Sequence, residues 1–163
     1  MIYNMKGIKI ELKWAVIFVI ANLLWMYLER LVGLHDELID KHAILTNLYA
    51  IPAVAIYVLA LLDKRKNYYN GIMSYKEGVI SGLIITLIVT LLNPVSQYLT
   101  SEVIAPDYFP NVIDYVSRTG EMTRAEAEAY FNLPSYISMG LIYAPIMGII
   151  TTLIVAFFAR KKG

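Results

Sequence analysis

No cysteine occurs in the chain, which excludes disulfides and thiolate metal sites and leaves the redox compartment unread. Histidine is almost as scarce, with two among 163 residues. Recognised catalytic signatures are missing: there is no HExxH, no GxSxG, no glycine-rich phosphate loop and no paired Ser/His/Asp arrangement. Charge is thin as well, at 17% against about 25% in a soluble domain. No ionisable side chain lies in the middle of a long apolar run, so the groups that proton relays and charged ion paths need are lacking. No catalytic residue, bound metal, cofactor or nucleic-acid partner is expected.

Apolar residues are plentiful instead, at 58%, with a mean hydropathy of +0.58. They fall into four runs of spanning length, which implies an all-α, four-helix membrane bundle forming a single domain over 1–163. The third run, Gly78 to Leu99, is uncharged, and a helix rising about 1.5 Å per residue would carry it across a hydrocarbon core of about 30 Å. Gly78, Gly82 and Thr86 recur every four residues along it. The fourth run, Tyr136 to Ala159, repeats the device with Gly140, Ala144 and Gly148. In lipid, close backbone approach along such stripes is a main source of helix association, so these two spans are expected to pair, within one chain or between copies.

Span one is expected over Trp14 to Leu34, preceded by Lys6, Lys9 and Lys13 as an uncleaved, signal-like start. Glu29 and Arg30 near its end are expected to snorkel into headgroups. The polar segment HDELIDKH leads to span two, Ala43 to Leu62, where Pro52 should kink the helix near its middle. Between spans three and four lies an outer region, Thr100 to Ser135, whose APDYFPNVIDY segment should rest on the membrane surface. Thr123 and Glu126 there fit a capping box opening a short helix that Pro134 ends.

Four spans place both termini on one side. That side carries Lys6, Lys9, Lys13, Lys64, Arg65, Lys66, Lys76, Arg160, Lys161 and Lys162, ten of the fourteen basic residues. The asymmetry predicts cytoplasmic termini. The lysines and arginines at the inner span ends read as orientation and headgroup anchors.

Two constellations could carry chemistry. Asn93, Pro94, Ser96 and Gln97 close span three, and Asn22 is the one polar residue in the core of span one. A proline within a span frees a carbonyl one turn upstream, a device that broken helices use at binding sites. His35, Asp36, Asp40 and His42 could be drawn as a metal set, but their spacing matches no ligand pattern and a solvated loop is the plainer reading.

SYKEG (Ser74 to Gly78), PDYF (Pro106 to Phe109), MTRAEAEAYF (Met122 to Phe131) and the basic tail, set among four spans, resemble the domain of unknown function 4199 family of small bacterial membrane proteins. The resemblance implies the fold and an inner-membrane location, and carries no activity or catalytic residue to transfer. Three functions follow as expectations. The first is association as a homo-oligomer or a subunit of a membrane complex, with lipid and membrane protein as partners. The second is a small transporter or channel with a polar path past Asn22, Asn93, Ser96 and Gln97. The third is a membrane enzyme acting on lipid through His35 and His42.

Overall fold

In a computed structural model, residues 5–161 are described, and side chains from residue 8 onward. Residues 1–4, the side chain of Lys6 and the tail residue Lys162 lie outside the described residues, while Lys9 and Lys13 of the signal-like start belong to the first helix. The described chain is helical, with one isolated antiparallel bridge between Met73 and Lys161. Its helices are α1 (Met5–Leu31), α2 (Ile39–Leu45), α3 (Ala50–Asn67), α4 (Tyr75–Tyr98), α5 (Tyr108–Thr119), α6 (Arg124–Tyr130) and α7 (Leu133–Ala159). A 3₁₀ turn (Thr46–Tyr49) joins α2 to α3, and a π-helical turn (Leu99–Ile104) extends α4.

Three stretches are long and apolar enough to cross a membrane: Ile39–Asn67, Tyr75–Ile104 and Leu133–Ala159. Leucines and aromatics such as Leu91 and Phe158 remain exposed along them, as expected where lipid replaces water as solvent.

The prolines act at helix starts more than as breakers. Pro52 is the third residue of α3, next to the 3₁₀ turn, where a missing amide donor costs little; the irregularity falls before it and not at mid-span. Pro110 lies in the first turn of α5 and Pro134 in that of α7. The APDYFPNVIDY segment is therefore largely helical. Pro94 sits inside α4, which continues four residues past it. The capping box of α6 is present: Thr123 accepts from the Glu126 amide, and the Glu126 carboxylate takes the Thr123 amide at 2.9 Å. These hydrogen bonds hold the Glu126 carboxyl below its usual range.

The chain divides into two compact units, with α1, α4 and α7 contributing residues to both. Unit 1 comprises 1–20, 50–92 and 142–163. Its core joins Ala15, Tyr57, Leu61, Met73, Ile85 and Ala156. Small residues set the approach of α4 to α7 here. A Cβ added to Gly82 would collide with the Thr152 side chain, and one added to Gly148 would meet Thr86 Cγ2 at 2.5 Å. Gly78 lies against Ala156. Thr86 donates its hydroxyl to the Gly82 carbonyl at 2.9 Å, so Tyr57, 2.8 Å from the same oxygen, is the donor to it. Lys64 departs from the anchor expectation. It is fully buried, 2.8 Å from Glu11 Oε1, which also accepts from Ser81 at 2.8 Å.

Unit 2 comprises 21–49 and 93–141. In it α5 packs Val112 and Val116 against Ala127 of α6. A Cβ on Gly140 would collide with the Asn93 amide, while Ala144, which belongs to unit 1, is half-buried.

Candidate functional site

The site is built in unit 2, where α1 ends. Helix α1 carries Glu29 on its last turn and stops at Leu31, short of the expected Leu34. Gly33 then adopts φ +81°, a conformation costly for any residue with a Cβ, and the chain reverses. The Leu34 amide bonds back to the Glu29 carbonyl at 2.9 Å, and the Leu38 amide to the Gly33 carbonyl at 2.7 Å. This tight turn puts His35 beside the end of α1. Helix α2 follows at once and presents His42, so the expected polar loop is half turn and half helix.

Glu29 is 2% exposed, so it is not a headgroup anchor. Its Oε1 accepts from Trp25 Nε1 at 2.5 Å, while its Oε2 lies 3.2 Å from His35 Nε2 and 3.4 Å from His42 Nε2. Burying a carboxylate is expensive unless it is paired, and here two imidazoles and an indole surround it. Arg30, the next residue, points about 100° away as helix geometry requires, is exposed, and donates to the Ile104 carbonyl.

Helix α5 closes the cluster. The Tyr108 ring packs at a tilt against His35 and His42, with ring centroids 5.1 and 4.9 Å away. Its hydroxyl lies 3.4 Å from His42 Nδ1 and 3.2 Å from the Tyr136 hydroxyl. Burial, reinforced by the neighbouring Tyr136 and the Glu29 charge, pushes the Tyr108 phenol far up, so it stays a neutral O–H. Asn111, one turn further along α5, donates to the His35 carbonyl at 3.0 Å and fixes that turn.

A cavity of about 280 Å³ opens beside these groups, lined by His35, His42, Tyr108 and Tyr136 together with Asn22, Gln97, Thr100 and Ser101. Thr100 and Ser101 belong to the π-helical turn, a distortion often found at functional sites.

The polar residues singled out from sequence thus divide. Asn22 and Gln97 line the cavity, and Ser96 donates to Asn22 Oδ1 at 3.3 Å. Asn93 faces Gly140, and its Oδ1 is buried without a hydrogen-bond partner. Pro94 does not line the cavity. Of the histidine–acid set, His35 and His42 come together, whereas Asp36 turns to the Glu37 amide at 2.5 Å. The carboxylate that joins them is Glu29. Sequence alone does not single it out, because an ionisable residue at the end of an apolar helix can equally snorkel to water.

No curated protein and no solved structure matches the chain. A family does match, over residues 13–161, and it is described as a protein of unknown function. The chain therefore belongs to the DUF4199 family, as the short motifs flanking its third and fourth apolar runs suggested.

Proposed function

We propose that this protein is a multi-pass membrane protein that binds a small polar ligand in the chamber of unit 2, as a binding or transport component and not as a purely associative subunit. In this reading α1 is a fourth span, the membrane is a bacterial inner membrane, and both termini are cytoplasmic. The observation that carries it is the convergence of Asn22, Gln97, His35, His42, Tyr108 and Tyr136 on one cavity. A concave site with a few placed polar groups is the usual form of a small-molecule site. The motivation for self-association is weaker, because Gly82 and Gly148 are already filled by Thr152 and Thr86 of the same chain.

Because the chain has no cysteine, single thiols can be introduced on a silent background. In purified protein in nanodiscs, Gln97→Cys should react with a small hydrophilic methanethiosulfonate, while Leu91→Cys on the lipid-exposed face should stay inert. Equal inertness at both positions would mean that no aqueous chamber exists and would return the associative reading to first place.

A further inference from the structure

We infer that Glu29, His35 and His42 bind one divalent transition-metal ion, with Zn2+ the best match to the donor set. The inference rests on the chamber reading and names what its polar end holds. Two imidazole nitrogens and one carboxylate oxygen are the ligands of an open zinc site, which leaves one position for water or an oxygen donor of a bound ligand. Metal–ligand bonds of about 2.0–2.2 Å in tetrahedral array separate ligand atoms by about 3.4 Å. The Oε2–Nε2 distances from Glu29 to the two histidines are 3.2 and 3.4 Å, and the three ligand atoms all lie within 4.8 Å of one another.

Hydrogen bonding explains only part of this arrangement. His42 Nε2 is buried, sits 3.4 Å from a carboxylate oxygen, and makes no hydrogen bond. The Tyr108 hydroxyl lies at the other ring nitrogen, Nδ1, where it can take the imidazole proton. That tautomer leaves the Nε2 lone pair facing the space beside Oε2, as a metal ligand requires. His35 is also buried, and its Nδ1 has no partner. Trp25 on Glu29 Oε1 and Tyr108 on His42 Nδ1 are the outer partners that orient metal ligands. The cavity supplies an entry path and room at the open position.

The test uses full-length protein purified with a histidine-free tag, stripped with EDTA and titrated with Co2+, followed by Zn2+ competition. The expected result is one equivalent per chain with the intense visible bands of four-coordinate Co2+, discharged by Zn2+. H35A, H42A and E29Q should each remove the bands. Y108F keeps every ligand and the ring packing, and should weaken affinity about 10-fold. Wild-type protein that takes up no more Co2+ than H35A overturns the site, and marks the cluster as a plain carboxylate–imidazolium pair. So does uptake that E29Q and Y108F leave unchanged. Failure is separable from failure of the chamber: reactive Gln97→Cys with no Co2+ bands removes the metal alone.

Discussion

Lys64 ends an apolar helix beside Asp63, Arg65 and Lys66, yet its ammonium group is fully buried against Glu11, with the ring of Tyr68 3.9 Å away. Glu29 makes the same point with the opposite charge, drawn in by His35, His42 and Trp25. Both positions read as headgroup anchors from sequence, because a charge at the end of an apolar run looks the same whether it points to water or to a partner. Removing one member of a buried pair leaves an uncompensated charge, at a cost of about 3–5 kcal/mol. Lys64→Met should therefore lower the unfolding free energy of the detergent-solubilised protein by that amount. Part of the loss should return when Glu11→Gln is added. A loss within about 1 kcal/mol, the range of an exposed pair, would show that the pair is solvated.

Among the elements, the seam between α4 and α7 in unit 1 depends on glycine against threonine, at Gly82 with Thr152 and Gly148 with Thr86. A side chain at either glycine forces the threonine out of its place, and overpacking of this kind costs about 1–3 kcal/mol. Gly148→Leu should lower thermal stability to the same extent at every protein concentration, because the seam lies within one chain. A loss that disappears at high concentration would instead mark an interface between copies. Local devices were legible at this scale. The Thr123–Glu126 capping box spans four residues and needs nothing beyond its own helix. The four-residue stripes likewise follow from helical period, though periodicity alone could not say that Gly140 would meet Asn93. The Glu29–His35–His42 cluster was not legible. Its members are separated by a left-handed turn at Gly33 that breaks any helical register, and Tyr108 joins them from 66 residues beyond His42. Pro52 and Pro134 were read as breaking or ending helices because proline's rigidity is visible in sequence, whereas its position within the first turn depends on where the helix begins.

For the whole molecule, charge distribution carried more than charge sum. Apart from Lys162, which lies outside the described residues, the basic residues assigned to the cytoplasmic side belong to unit 1, and Arg30, Lys41, Arg118 and Arg124 belong to unit 2. Lys64 is the exception in kind, since it is consumed by Glu11 and does not face a headgroup. We propose that α1 joins the three long apolar helices as a fourth span. An odd number of crossings would put the two termini on opposite sides, so the sidedness of the termini tests whether α1 crosses. The measurement is labelling of single cysteines at Lys9, Gly120 and Lys161 in intact cells with a membrane-impermeant maleimide, before and after permeabilisation. Gly120→Cys should react at once, and Lys9→Cys and Lys161→Cys only after permeabilisation. Reaction of Lys9→Cys and Lys161→Cys from opposite sides would contradict it, because α1 would then not cross the membrane.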